Sequence, residues 1–193
     1  HGRTMTAASL SCAEQGSIWA ATAPPAPAFP MLESSIDVDT VVIGAGFTGL
    51  STALALRKAG VAVAVIEAAE PGWGASGRNN GQVIPTLTRV EPDDIEARWG
   101  ETGVRFVALL RDCANVLFDT ARKHAIAAEA EQTGWVQPVH TPGRIAISER
   151  RVRQWSRRGA PVELLDAAQA RRMLGSEAWH GGFWNRSGGH INP

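Results

Sequence analysis

What the sequence lacks narrows it first. It has two cysteines, Cys12 and Cys113. Two lone thiols make neither a disulfide framework nor a metal-ligand spacing. They suit a reducing compartment, so a cytoplasmic protein is expected. His140, His180 and His190 stand without an HxxxH or CxxC partner spacing, and no metal is expected. There is no surplus of charge, because nineteen basic residues cancel nineteen acidic ones. Nothing therefore calls for a nucleic acid or an anionic membrane surface. The basic cluster at 149–158, ERRVRQWSRR, reads as a solvated helix face. No stretch approaches the ~20 apolar residues that span a bilayer, and the apolar run at 7–10 is too short for the core of a signal peptide. There is no G-x-S-x-G elbow either: Ser76 stands in Gly74-Ala75-Ser76-Gly77, which excludes that hydrolase nucleophile.

What is present is concentrated near the start. A short apolar run at 41–43 delivers the chain to Gly44-x-Gly46-x-x-Gly49. A helical stretch at 50–59 closes at Gly60, and a second apolar run at 61–66 ends in Glu67. The order strand, glycine turn, helix, strand, acid is the dinucleotide-binding fingerprint. Gly44 permits the turn out of the strand. Gly46 lets a pyrophosphate approach the backbone, and Gly49 lets the helix pack on the sheet. The free N–H groups and positive end of the helix then face the phosphates. Glu67 lies about twenty residues on, placed to accept hydrogen bonds from a ribose diol.

A second cluster follows. In 71–82, PGWGASGRNNGQ, the glycines 72, 74, 77 and 81 expose N–H groups, and Ser76, Arg78, Asn79, Asn80 and Gln82 supply donors. Such a loop can wrap a pyrophosphate and reach the polar edge of a flavin, whose N1 and O2 need hydrogen bonds or positive charge.

With these residues in view, VVIGAGFTGLSTALALRKAGVAVAVIEA followed by GWGASGRNNGQV resembles the FAD-dependent oxidoreductases of the D-amino-acid oxidase, glycine oxidase and sarcosine oxidase family. Within it, the GWGASGRN loop and the WAATAPPAP lead-in are similar to the gamma-glutamylputrescine oxidoreductase branch. The resemblance covers 17–193, is most specific over 40–82, and extends to the closing GGHINP. It implies an α/β fold: a Rossmann-type FAD domain with the start of an α+β substrate domain. It implies oxidation of a C–N bond in a small amine or amino acid, with hydride passing to flavin N5 and an imine as product. Gly44, Gly46, Phe47, Thr48 and Gly49 would meet the FAD pyrophosphate, and Glu67 the adenosine ribose. Ala75, Ser76, Arg78 and Asn79 would line the pyrophosphate and approach the flavin, with Gly81 and Gln82 nearby. Arg78 would tune the flavin as a fixed cation near its N1–O2 edge. Members of the family are substantially longer, so this chain reads as an N-terminal part that is catalytically silent alone. Two rivals stand beside this reading: an NAD-binding dehydrogenase domain, which needs only the 40–67 fingerprint, and a non-catalytic truncated remnant.

The remaining expectations concern organisation. Residues 1–36, with Pro24, Pro25, Pro27 and Pro30, read as an extended lead-in. The FAD domain is expected over 37–128, and a partial substrate domain with a return segment over 129–193. A long helix at 91–124 should bury Val104, Val107, Leu110, Ala114, Leu117 and Ala121. Strands are expected at 131–139 and 162–165, with their partners beyond the end of the chain. A basic helix should cover 148–158, and a helix at 167–174 should be capped by Asp166 and stopped by Gly175. The tail from 181 reads as glycine-rich, and Asn192-Pro193 as the opening of a further helix.

Overall fold

Each half of the glycine fingerprint forms the element its residues favour. The computed structural model describes residues 17–25 and 27–193, so Cys12 lies outside the described residues. β-branched residues build β1 (Thr40–Ile43) and β2 (Val63–Ile66). The two pair in parallel, Thr40 opposite Val63 and Ile43 opposite Ile66. Between them runs α2 (Phe47–Lys58), with Gly46 as its N-cap in an extended conformation. The helix starts three residues earlier than the apolar pattern suggested, directly on the glycine turn. Arg57 and Lys58 occupy its last turn, where cations suit the negative end of the dipole.

The described residues up to Asn80, together with Asn192 and Pro193, form one compact unit, and Gly81–Ile191 forms another. In the first, the lead-in departs from expectation. Residues Ile18–Thr22 form a short helix, α1, rather than an extended segment. Ser17 caps it by accepting from Trp19 N–H at 3.2 Å, and Pro24 and Pro25 prevent it from continuing.

The second unit carries α3 (Pro92–Lys123), interrupted at Gly100, whose φ of 53° and ψ of −131° are not helical. The buried stripe lies beyond this break. A Cβ on Gly103 would lie 2.5 Å from the Ile95 carbonyl oxygen, so Gly103 faces the first segment and the phase follows from it. Gly103, Val107, Ala114, Phe118 and Ala121 are buried. Leu110 and Leu117 are half-buried, whereas Val104, expected inside, is 52% exposed.

The strands expected to lack partners find one within the chain. β4 (Trp135–Pro138) and β5 (Val162–Leu165) both pair antiparallel with β6 (Gly182–Asn185), which is the central strand. The glycine-rich tail supplies it. β7 (Gly189–His190) pairs with β3 (Gln82–Val83). Two helices complete the unit: α4 (Ile145–Ser156) and α5 (Ala167–Leu174). Asp166 and Gln169 form a reciprocal capping box at α5, and Gly175 ends it at φ 66°. Trp155, Phe118, Phe183 and Val107 are almost fully buried.

The basic cluster is a seam rather than a solvated face. Arg151 is buried and pairs with Glu91 at 2.7 Å, with Gln137 beside it. Arg158 pairs with Asp93 at 2.8 Å and Glu96 at 2.5 Å. The acids sit at the start of α3, so opposite charges on two helices meet. Arg150 and Arg153 remain exposed as expected. Among the described residues no helix is long and apolar enough to cross a membrane, and no three His, Cys, Asp or Glu residues gather as metal ligands.

Candidate functional site

The site is assembled where β1 gives way to α2. Gly44 has a φ of 97°, open to glycine and strained for other residues. Its N–H donates to Ile66 O at 2.8 Å, tying the ends of both strands together. A Cβ on Gly49 would lie 1.9 Å from Gly44 O, so only glycine lets the helix sit this close to the turn. A Cβ on Gly46 would meet Ser76 Oγ at 2.9 Å. Phe47, Thr48 and Gly49 are the first three residues of α2, where N–H groups lack intrahelical acceptors and the dipole is positive.

The loop after β2 is clipped onto this turn. Gly72 N–H donates to Ala45 O at 3.0 Å, and Ser76 Oγ accepts from Phe47 N–H at 3.0 Å. Ala75–Gly77 form a 3₁₀ turn. Asn79 Nδ2 donates to Ser76 O at 2.8 Å. The Arg78 guanidinium lies 4.4 Å over the Trp73 ring, within the range of a cation–π contact.

Glu67 stands at the tip of β2, as its position in the sequence requires, and bonds to the backbone. Its Oε2 accepts from Ala45 N–H at 2.7 Å, and its Oε1 from Ala68 and Ala69 N–H at 2.9 and 3.1 Å. The Ala45 N–H, then that of Ala69, hold the carboxyl below the usual glutamate range against a partial opposing effect of burial, with Ala68 adding a little. A carboxylate offers about four acceptor positions, of which these bonds use three.

The structure thus brings together Gly44, Gly46, Phe47, Thr48, Gly49, Glu67, Ala75, Ser76, Arg78 and Asn79 in the first unit. Gly81 and Gln82 belong to the second. There Gly81 O accepts from Ile191 N–H at 2.9 Å, and Gln82 Oε1 accepts from Trp135 Nε1 at 2.9 Å. Sequence reasoning overlooked Ala45, whose backbone takes both Glu67 and Gly72, and Trp73 and Trp19. Backbone roles leave no mark on residue type. The tryptophans could have been noticed beside the motif, Trp73 between two of its glycines.

Known proteins resemble this chain in sequence and in fold. The sequence profile of the family described as FAD dependent oxidoreductase (DAO) matches residues 39–193. Gamma-glutamylputrescine oxidoreductase of Escherichia coli (strain K12) is 35% identical over 179 residues, which is 92% of this chain and 42% of that protein. The probable oxidoreductase OrdL of Rhizobium meliloti (strain 1021) is 32% identical over 185 residues, covering 90% of this chain and 41% of its own length. Among solved structures, glycine oxidase from Geobacillus kaustophilus superposes with a TM-score of 0.59 at 21% identity, over 80% of this chain and 40% of that one. L-amino acid deaminase from Proteus myxofaciens gives a TM-score of 0.67 at 18% identity, over 83% and 35%. At such identities the superpositions speak for the fold alone. The chain spans about two-fifths of the length of the curated relatives it matches. On the profile match and the 35% identity over nine-tenths of its length, the chain belongs to the family of FAD dependent oxidoreductases.

Proposed function

We propose that this chain carries the dinucleotide-holding part of a flavoenzyme that oxidises a C–N bond in a small amine or amino acid. The observation that carries the reading is the join between the two glycine segments. Ser76 Oγ sits on the first N–H of α2, so the 71–80 loop and the helix N-terminus form one cradle. The residues fit FAD. The cradle is walled by glycine where a pyrophosphate must approach, and a Cβ at Gly46 would project onto Ser76. Gly46, Thr48 and Gly49 would offer the pyrophosphate backbone N–H groups and the positive helix end, with Gly44, tied to Ile66 O, shaping the turn and Phe47, tied to Ser76 Oγ, joining the loop to it. Glu67 would take a ribose hydroxyl on its remaining acceptor position and repel a 2′-phosphate. Ala75, Ser76, Arg78 and Asn79 would continue along the cofactor, and Arg78 would supply positive charge. When bound, FAD supplies the two-electron acceptor for the carbon next to nitrogen. The chain's own residues bind and orient it. The substrate class follows the relatives' names, which speak of an amine and of amino acids. Cytoplasmic residence is our reading from the two lone cysteines.

The test is titration of the purified chain with FAD, NAD and NADP, followed by absorption and tryptophan fluorescence. FAD should bind tightest and give the yellow bands of bound flavin. Tighter binding of NAD would favour the dehydrogenase reading, and tighter NADP would sink the role of Glu67.

A further inference from the structure

We infer that Trp19 is a positioning residue for the cofactor loop, and that α1 exists to hold it there. The inference rests on the flavin reading above. Trp19 Nε1–H donates to Asn79 O at 2.7 Å across sixty residues of sequence. Asn79 Nδ2 donates to Ser76 O at 2.8 Å and more weakly to Ala75 O at 3.4 Å. Ser76 Oγ then accepts from Phe47 N–H at 3.0 Å. A continuous relay of hydrogen bonds therefore runs from the lead-in helix, through the loop, to the first turn of α2.

The loop needs such an anchor. Gly72, Gly74 and Gly77 make it costly to order, and its regular structure is confined to one short 3₁₀ turn at Ala75–Gly77. An indole has two side-chain torsions and a single donor, so it fixes an acceptor at small entropic cost. Its acceptor is the backbone of Asn79, adjacent to Arg78. Holding that carbonyl sets where the Arg78 side chain begins, and Trp73 stacks on its other end at 4.4 Å.

The helix is itself held. Asn192 Nδ2 donates to Trp19 O at 3.4 Å and to Thr22 Oγ1 at 3.0 Å. Thr22 Oγ1 donates onward to Ile18 O at 3.0 Å, using its one proton and one of its lone pairs. Asn192, read as a helix cap, thus clasps α1 from the far end of the chain. A loop tied down in this way has less freedom to lose on binding, which lowers the ordering cost.

The test compares Trp19→Phe, which removes the N–H and keeps most of the ring, with Trp19→Ala. The first readout uses no cofactor: limited trypsin cleavage of the Arg78–Asn79 bond, followed by mass spectrometry, with cleavage after Arg172 as the internal control. Trp19→Phe should speed cleavage at Arg78 about fivefold, the equivalent of one ordinary hydrogen bond, and leave Arg172 unchanged. The FAD dissociation constant should rise by a similar factor, with the thermal midpoint hardly moved. Asn192→Asp should reproduce a smaller share of both effects. If Trp19→Phe matches the parent at Arg78 while Trp19→Ala raises cleavage everywhere, the indole only packs and the inference falls. If the cleavage change appears but the parent binds no FAD, the anchor stands and the flavin reading fails.

Discussion

The two units of this chain are stabilised in different ways. The second encloses a conventional core, with Trp155, Phe118, Phe183 and Val107 all but sealed from solvent. Among the described residues, the first buries little more than Ala45 and Ala53 as apolar groups, while Ile43 is 89% and Val41 48% exposed. Its order comes instead from close backbone approach and cross-links: Gly49 against Gly44, Glu67 on Ala45, Gly72 on Ala45, Ser76 on Phe47. The glycines make these close approaches possible, so the order of this unit is tied to the geometry of the turn.

Four changes test this contrast, the largest effect first. Gly49→Val should unfold the first unit outright, costing more than about 4 kcal/mol, because the new Cβ meets a backbone carbonyl that cannot move aside. Hydrogen exchange should lose protection over 40–67 and keep it over 135–185. Phe118→Ala should do the reverse. It opens a cavity in the second unit and should cost about 3–4 kcal/mol in urea unfolding, with exchange at 40–67 unchanged.

Gly46→Val comes third in stability and separates binding from folding. Its Cβ meets the Ser76 side chain, Oγ at 2.9 Å and Cβ at 3.7 Å, and turning Oγ away costs the hydrogen bond from Phe47 N–H, so unfolding should shift by about 1 kcal/mol. Binding of FAD, read by flavin absorbance, should nevertheless be lost, since the branched side chain fills the pyrophosphate space. Retained flavin would show that Gly46 is misplaced.

The smallest effect is on pH dependence. Glu67 has a folded pKa below its ordinary value because of backbone N–H bonds, that of Ala45 foremost. Its contribution to stability is therefore complete above the ordinary glutamate value of about 4.3 and declines as the pH falls through the lowered folded value. Glu67→Gln should flatten the acid limb of exchange protection at 40–67. Glu96, held low chiefly by Arg158, should leave the second unit its own acid sensitivity in that variant.

The first unit was largely legible in the sequence because its determinants are local. β1, α2 and β2 follow from a glycine spacing and two β-branched runs, each of which acts within a few residues of itself. The same holds for α5, where the Asp166 and Gln169 capping box and Gly175 mark both ends. The second unit was legible only in part. β6 hid in a glycine-rich stretch because what makes Gly182–Asn185 a strand is the pairing with β4 and β5, not its composition. Val104 was placed inside because its spacing of three from Val107 suits the stripe, but the position that packs inward is Gly103, which has no apolar side chain to signal it. Arg151 read as solvated because its partner, Glu91, lies sixty residues away.

By itself the sequence determined the glycine turn: which residues are glycine, that a helix follows them, and which acid closes the second strand. These depend on steric freedom and short-range hydrogen bonding, which residue identity and spacing encode directly. Tertiary structure decided which backbone groups Glu67 would take, that Trp19 would reach Asn79, and that the tail would become the central strand of a sheet. Each of those is a contact between residues far apart in the chain, and its free energy exists only once the intervening chain has folded to bring the partners together.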